Sequence, residues 1–245
     1  MLFDIRETAT TGSTNDDALA LLGTPGAAGA VLVTDFQHAG RGRKARAWIA
    51  PPGSSLLFTT ILPRTVPRES LWAVTLWTAL GVADGIAAAT GLALGLQWPN
   101  DLLLGTRKCC GILCVSRVAG DGAWVGCGTG VNVLRPAGDP GLAAIEPPPA
   151  FLSDAAPGVE RRAVLDAILR AYEARLHDLD DPAGIARAWE RRANLAGTPY
   201  RLLIDGESTP LDAVAKRLGP DGSLIVDDRG VERTVTLADA RVLRS

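Results

Sequence analysis

The chain lacks any excess of positive charge. Its 245 residues carry 25 lysines and arginines against 27 aspartates and glutamates, a formal net charge of -2 at pH 7. A surface made generally for nucleic acid or anionic lipid carries net positive charge, so the composition argues against DNA and membrane partners and confines any basic patch to a local role. With 47% apolar residues, the chain can bury a full core as one large domain or as a large and a small one.

The sequence also lacks an export signal and a membrane-spanning run. Its N-terminus, MLFDIRETATTGSTNDDA, carries acids early and has no basic segment followed by an apolar one. The longest weakly charged run, residues 71–83, is shorter than the roughly 20 residues of a membrane helix. We therefore expect a cytoplasmic protein in which this run forms a buried helix.

The cysteines lack the C-x2-C pairs of a zinc ribbon. Cys110 and Cys114 on one strand would lie about 13 Å apart, too far for a disulfide. A bridge between Cys114 and Cys127 is geometrically open if AGDG forms a hairpin turn. In a reducing cytoplasm we expect all four cysteines, Cys109, Cys110, Cys114 and Cys127, to be buried free thiols.

Helix and strand patterns alternate through most of the chain. Helices are predicted in GSTNDDALALL, PRESLWAVTLWTALGVADGIAAATG, ERRAVLDAILRAYEARLHDL and DPAGIARAWERRANL. Strands are predicted in AVLVTDF, SSLLFTTILP, LGLQWPNDLLL, KCCGILCVSRV and WVGCGTGVNVL. Short turns between the last three strands predict antiparallel pairing rather than a doubly wound parallel sheet. The proline-rich segment 135–158 is predicted to be a surface excursion, and the tail from Thr198 a small β-barrel of about 50 residues.

A basic, glycine-containing loop is the most distinctive segment. FQHAGRGRKARAW, residues 36–48, contains Gly40, Arg41, Gly42, Arg43, Lys44 and Arg46. It has neither the Gly-Lys-Ser/Thr end of a phosphate loop nor the G-x-G-x-x-G of a dinucleotide fold. Glycine lets backbone approach an anion and arginine forks suit phosphates, so an anion cradle is one interpretation. A solvated charged loop remains open, as does a single-strand nucleic-acid loop, although only Phe36 and Trp48 supply the aromatic groups that such a loop needs.

Polar residues stand at the ends of three apolar strands. Asn100 and Asp101 follow the rigid Trp98-Pro99 corner, and Lys108 precedes an apolar strand. Alone, the Asn-Asp pair is most simply a turn and the lysine a solvated strand end. A lysine with a glycine three residues later, and an asparagine ending a glycine-dense strand, together indicate a ligand site.

These motifs, taken in order, resemble those of bacterial biotin protein ligases, also called biotin-[acetyl-CoA carboxylase] ligases. The matching segments are GSTND, Q-x-A-GRGR-x-x-R-x-W, WPNDLLL, RK-x-x-GIL and G-x-G-x-NV. The resemblance implies an α+β fold of the class II aminoacyl-tRNA synthetase and biotin ligase type. Residues 1–196 would form a catalytic domain with a mixed, largely antiparallel sheet flanked by helices, and residues 197–245 an SH3-like β-barrel. No helix-turn-helix segment precedes residue 13, so a monofunctional enzyme without DNA binding is expected.

The resemblance implies a two-step reaction with ATP and biotin as substrates and Mg²⁺ as cofactor. Biotin and ATP would give biotinyl-5'-AMP and pyrophosphate, and a lysine of a biotin carboxyl carrier domain would then take the biotinyl group as an amide. The partner would be a biotin-dependent carboxylase, and homodimer formation is left open. No residue is assigned to a metal.

The resemblance also assigns roles to residues. Catalytic roles fall to Lys108, Arg43 and Asp101. Biotin would be bound by Ser13, Thr14, Asn15, Gln37, Gly40, Arg41, Gly42, Arg43, Lys108 and Gly111. ATP and the adenylate would be bound by Arg43, Arg46, Trp48, Asn100, Lys108 and Asn132.

Three sequence departures and three alternatives accompany this interpretation. Ala45 stands where the family often has glycine, and Cys109 and Cys110 replace smaller or aliphatic residues and would be sensitive to oxidation if exposed. A lipoate-protein ligase shares the adenylation chemistry but would carry Arg-Arg-x-x-Gly-Gly-Gly in the loop. A non-catalytic RNA- or anion-binding module predicts salt-sensitive nucleic-acid binding without adenylate formation. A ligase-like protein that has lost activity is disfavoured by the presence of Lys108 and Arg43.

Overall fold

The computed structural model describes residues 2–138, 140–237 and 240–243. An eight-stranded sheet has the order β1-β2-β3-β8-β7-β6-β5, and β4 also pairs with β8. Its strands are β1 Asp4–Thr11, β2 Ala30–Gln37, β3 Ser55–Ile61, β4 Val66–Pro67, β5 Gly95–Gln97, β6 Asp101–Leu104, β7 Arg107–Ala119 and β8 Gly122–Asn132. Strands β1 and β2 are parallel and the other described pairs are antiparallel, which confirms the mixed, largely antiparallel sheet.

Helices flank this sheet. They are α1 Thr14–Leu21, α2 Leu71–Thr90, α3 Pro140–Ala143, α4 Arg161–Arg175 and α5 Pro182–Ala193. Helix α2 ends where Gly91 takes a left-handed backbone conformation (φ 74°). Helix α5 begins after Asp181, whose carboxylate accepts a hydrogen bond from the backbone N–H of Gly184, and Pro182 occupies its first turn. These local signals explain why the predicted helices formed close to the expected places.

A second sheet occupies the C-terminal region. It has five antiparallel strands in the order β12-β11-β10-β9-β13. They are β9 Pro199–Ile204, β10 Leu211–Leu218, β11 Leu224–Asp228, β12 Val231–Val235 and β13 Ala240–Val242. The expected small β unit is therefore present, while the domain boundary between residues 196 and 197 stays a prediction.

Helix α2 is longer than the apolar run that predicted it. By length and composition the segment Arg68–Thr90 could cross a membrane, but most of it is buried inside the protein. Asp84, which interrupts the run, ion-pairs with Arg175 and Arg192 at 2.7 Å and 3.1 Å. The expectation of a buried helix is confirmed, and its charged residue is satisfied by neighbouring helical segments.

Three features of the fold differ from the sequence prediction. Strand β1 was not predicted, because it lies at the sheet edge and its mostly exposed residues lack an apolar alternation. The segment LGLQWPNDLLL forms two strands, β5 and β6, because the corner at Trp98-Pro99 reverses the chain between them. The proline-rich segment is partly buried at 150–152 rather than wholly a surface excursion.

The cysteines lie on β7 and β8 and are free. Cys114 is opposite Cys127 in the predicted hairpin, and both remain thiols. Cys109 and Cys110 are buried, and desolvation raises the pKa of Cys109 to about 12 and that of Cys110 well above its ordinary value. Because the thiolate is the reactive form, neither side chain has the exposure or the ionisation that oxidation sensitivity would require.

The contact between α2 and α4 generates a stability prediction. A Cβ atom on Gly85 would lie 2.6 Å from the backbone nitrogen of Ile168, and backbone on a packed helix cannot move aside cheaply. We expect Gly85→Ala to lower the free energy of unfolding by about 1–3 kcal/mol, despite the better helix propensity of alanine. Urea denaturation measures the change. Gly95→Ala, where a Cβ meets only ordinary contacts, is the control, and a Gly85→Ala protein as stable as wild type would contradict the prediction.

Candidate active site

The predicted site residues converge on one cavity of about 290 Å³. The cavity is lined by Ser13, Thr14, Asn15, Gln37, Arg41, Gly42, Arg43, Arg46, Trp48, Asn100, Lys108, Gly111 and Asn132, among others. Gly40 and Asp101 do not line it. Gly40 belongs to the loop, and its carbonyl accepts a 2.9 Å hydrogen bond from the backbone N–H of Trp48. Asp101 ion-pairs with Lys108, which does line the cavity.

Glycines on β7 and β8 bring other groups close to the sheet. Gly111 and Gly130 are cross-strand neighbours, and the indole of Trp48 lies on them, since a Cβ atom on either would come within 2.8 Å of the ring. A Cβ on Gly128 would lie 2.6 Å from Cγ of Asn15. The space above Gly111 is thus filled by Trp48 here. Sequence reasoning missed Gly128 and Gly130 individually, although the glycine-dense strand was the available signal.

Uncharged polar groups form the end of the cavity near α1. The backbone N–H of Thr14 donates to Oε1 of Gln37 at 2.8 Å, and its hydroxyl lies 3.1 Å from the same oxygen. Asn15 donates through Nδ2 to the carbonyl of Leu113 at 2.9 Å. Ser13 occupies the N-cap position but makes no side-chain capping bond. These residues therefore present amides and hydroxyls to the cavity.

A β-bulge aims Lys108 into the cavity. The register between β6 and β7 shifts, so that Leu102 opposes Cys110 whereas Leu103 opposes Lys108. In a regular strand, residues three apart point to opposite faces. The extra residue of the bulge lets Lys108 and Gly111 face the same side, and bulges commonly re-aim side chains beside active sites. The bulge explains why strand alternation alone could not pair these two residues.

Lys108 is held by an acid and an aromatic ring. Its Nζ atom lies 2.6 Å from Oδ1 of Asp101 and 5.2 Å from the ring centroid of Trp48. The Lys108 side chain is 26% exposed and that of Asp101 is 7% exposed. A poorly solvated ion pair of this kind fixes the ammonium group in the cavity wall, where it can meet an anion.

The Trp98-Pro99 corner positions Asp101. The indole of Trp98 is fully buried and donates through Nε1 to the carbonyl of Gly222 at 3.1 Å. Its backbone N–H donates to the hydroxyl of Tyr200 at 3.2 Å. The corner is thus fixed against the second sheet, and the strand that leaves it begins at Asp101.

Asn100 and Asn132 are tied to backbone around the cavity. Asn100 donates through Nδ2 to the carbonyl of Ile112 at 2.6 Å. Asn132 donates to the carbonyl of Ala150 at 3.1 Å and accepts from the hydroxyl of Ser55 at 3.4 Å. Both amides thus brace the cavity walls, and their contact with a nucleotide stays a prediction.

Two cations of the basic loop have acidic partners. Arg41 ion-pairs with Asp16 in the first turn of α1, and Nζ of Lys44 lies 2.6 Å from Oδ1 of Asp205 in the second sheet's first connection. Lys44 and Ala45 adopt left-handed backbone conformations (φ 53° and 54°). Glycine is favoured in this region, so Ala45 replaces the family's glycine at a position where the backbone would prefer it.

Arg43 is a partly buried cation of the loop that lines the cavity. Its guanidinium donates to the backbone carbonyl of Leu237. Burial lowers the pKa of Arg43, while the carboxylate of Asp101 partly offsets this effect and Arg46 adds to it. The group stays charged at neutral pH because an arginine in a protein does not lose its proton. Arg43 therefore brings a partly desolvated positive charge to the region near Lys108.

The proline-rich segment forms a cavity wall that the sequence did not reveal. Residues 142, 145–147 and 149 line the cavity together with the basic loop. The segment is anchored by the Asn132 bond to Ala150 and by a 2.8 Å hydrogen bond from the Ala150 N–H to the carbonyl of Lys108. The signal was weak, because proline-rich composition predicts a loop without saying where it packs.

Within residues 2–138, 140–237 and 240–243, no group of three or more His, Cys, Asp or Glu could hold a metal ion.

Comparison with known proteins identifies the family of this chain. Residues 9–132 match the model of the Biotin/lipoate A/B protein ligase family. A Biotin--[acetyl-CoA-carboxylase] ligase of Paracoccus denitrificans is 35% identical over 78% of this chain and 81% of that protein. A protein of the same description from Mycobacterium tuberculosis is 30% identical over 96% of this chain and 88% of its own length.

A solved structure of a biotin protein ligase has a similar fold. A biotin protein ligase from Aquifex aeolicus, solved in complex with biotin and ATP, superimposes with a TM-score of 0.78 over 99% of both chains at 21% identity. At that identity the match speaks for the fold alone. The family model covers the basic loop and strands β2 to β8, which carry most of the cavity lining, and the chain belongs to the Biotin/lipoate A/B protein ligase family.

Proposed function

We propose that the protein attaches biotin, through biotinyl-5'-AMP, to a lysine of a biotin carboxyl carrier domain. The observation that carries the proposal is the division of one cavity into an uncharged polar end at Thr14, Asn15 and Gln37 and a cationic region at Lys108 and Arg43. Biotin has the matching division, with a neutral ureido ring at one end and a carboxylate at the other. The named activities of the bacterial relatives support the same reaction.

The polar end favours biotin over lipoate. Oε1 of Gln37 and one N–H of Asn15 are used inside the protein, while the amide NH2 of Gln37 and the second N–H of Asn15 have no partner among the described residues and are left for a ligand. A ureido carbonyl accepts such hydrogen bonds, whereas the dithiolane ring of lipoate offers no comparable acceptor. A site built to hydrogen-bond a substrate discriminates strongly against an analogue that lacks the group.

The cations suit the adenylation step. The biotin carboxylate attacks the α-phosphorus of ATP, a bond to its oxygen forms, and pyrophosphate leaves. Two anions must approach, so positive groups that stand ready lower the barrier. We assign Lys108 to the carboxylate and the new acyl phosphate, and Arg43 and Arg46 to the phosphates. The carrier lysine then attacks the acyl carbon and AMP leaves.

Magnesium enters this proposal with the nucleotide. Because the described residues hold no acidic cage, we assign Mg²⁺ to the ATP phosphates as part of the substrate, MgATP. The partner is the carrier domain of a biotin-dependent carboxylase. Asp101, through its ion pair with Lys108, orients the ammonium group of Lys108, which polarises the acyl group.

The substrate assignment has a direct test. Purified protein is incubated with MgATP and an apo biotin-carrier domain, with biotin in one reaction and lipoate in another, and the carrier mass is measured. We expect a biotin-sized gain and no lipoate-sized gain, because the polar end needs a hydrogen-bonding ring. Equal modification by lipoate, or no modification at all, would overturn the proposal.

Lys108 is expected to act in adenylate formation. Lys108→Ala should slow pyrophosphate release with biotin and MgATP by about 100- to 1,000-fold, as for loss of one preorganised donor at a developing charge. Lys216→Ala removes a lysine from the second sheet, where it pairs with Glu232, and serves as the control. A Lys108→Ala protein that forms biotinyl-5'-AMP at the control's rate would contradict the role.

A further inference from the structure

Thr59 lies on β3 beneath the polar end of the cavity. Its side chain is fully buried, and its Oγ1 atom lies 2.9 Å from Oγ1 of Thr14 and 2.9 Å from Oδ1 of Asn15. From the sequence, the segment that carries Thr59 is predicted only to be a strand of the core. Thr59 does not line the cavity, yet it touches two residues that do.

Hydrogen-bond chemistry fixes the direction of these contacts. Asn15 donates through Nδ2 to the carbonyl of Leu113, so its Oδ1 is the atom that faces Thr59. An amide oxygen only accepts, and therefore Thr59 supplies the proton to it. The hydroxyl of Thr14, which lies between Thr59 and Oε1 of Gln37, is left to donate its own proton to one of these two oxygens.

The consequence reaches the cavity. The oxygen of the Asn15 amide is held by Thr59 and that of Gln37 by Thr14, so both amides are fixed with the second N–H of Asn15 and the NH2 group of Gln37 as the donors available to a ligand. If Thr59 lost its hydroxyl, Oδ1 of Asn15 would be a buried acceptor without this donor. The amide would then be held on one side only, by its bond to the carbonyl of Leu113, and its second N–H would no longer be fixed toward the ligand.

We propose that Thr59 is a positioning residue that sets the polar end of the cavity to donate hydrogen bonds to the carbonyl of a cyclic urea. The inference rests on the proposed function, because it names how the same site recognises the biotin ring. Thr59 acts through Asn15 and Thr14 and does not itself touch the substrate.

The chain offers well-matched variants. The methyl group of Thr59 packs against β8, where a Cβ atom on Gly126 would lie 3.2 Å from it. Thr59→Val keeps this methyl and removes the hydroxyl, whereas Thr59→Ser keeps the hydroxyl and removes the methyl. Thr60→Val is the control, because the adjacent Thr60 is equally buried and its hydroxyl has no hydrogen-bond partner in the described part of the chain.

The experiment measures biotin binding by calorimetry without ATP, and KM for biotin, KM for ATP and kcat in the carrier assay. We expect Thr59→Val to weaken biotin binding and raise its KM by about 10- to 100-fold, as for loss of a buried hydrogen bond that strands its partner. KM for ATP should change less than about twofold, since the partners of the Thr59 hydroxyl, Thr14 and Asn15, are assigned to biotin and not to ATP. Thr59→Ser and Thr60→Val should bind biotin close to wild type. Melting curves establish that each variant is folded, and Thr59→Ala replaces Thr59→Val if the latter does not fold.

Several outcomes would overturn the role of Thr59. They are wild-type biotin affinity in the hydroxyl-free variant, a loss in Thr59→Ser equal to that in Thr59→Val, an equal loss in Thr60→Val, and a parallel fall in affinity for ATP. A wild-type protein that does not bind biotin overturns the proposed function instead. The two failures are therefore distinguished by the wild-type titration alone.

Discussion

The site depends on the absence of side chains from one face of β7 and β8. Gly111, Gly128 and Gly130 let an amide and an indole lie directly against the sheet, at distances where any Cβ would overlap them. Residues that alternate with these glycines, such as Cys127 and Val131, point into the main core. The same two strands therefore form a packed inner layer on one side and part of the candidate cavity's lining on the other, and a substitution at these glycines would displace Asn15 or Trp48 before it disturbed the core.

The second sheet fixes two parts of the site at once. It holds the Trp98 corner through Tyr200 and Gly222, and it meets the basic loop at Asp205 and Leu237. The corner carries Asp101, which holds Lys108, while the loop carries Arg43. The positions of both key cations therefore depend on a sheet whose described residues lie outside the lining of the cavity. Its contribution is positional, and it ties the loop to the body of the protein.

The sequence predicted the contents of the site better than its geometry. Local signals such as the Gly91 helix end and the two-residue turns between strands have local causes, so the corresponding elements could be predicted. Lys108 was identified as a candidate, but its direction depends on a bulge whose extra residue, Cys109, has no distinctive chemistry. The sequence around Thr59 predicts only an ordinary strand residue, because the residues that it contacts are 44 and 45 positions away in the sequence. Such contacts arise from packing between distant segments, which neither periodicity nor a short motif encodes.

The partners of the loop cations explain how a charged loop can rest against the protein and still serve an anion. Arg41 and Asp16 are about half exposed, and the carboxylate paired with Lys44 is 65% exposed. Exposed ion pairs contribute only about 0–1 kcal/mol each, since water screens them and two side chains lose freedom. A phosphate offers several oxygens to an arginine fork in a drier cavity, where each charge-assisted bond is stronger. Release of these two exposed pairs therefore costs the loop little, while Arg43, already partly desolvated, has lost part of its hydration before an anion binds.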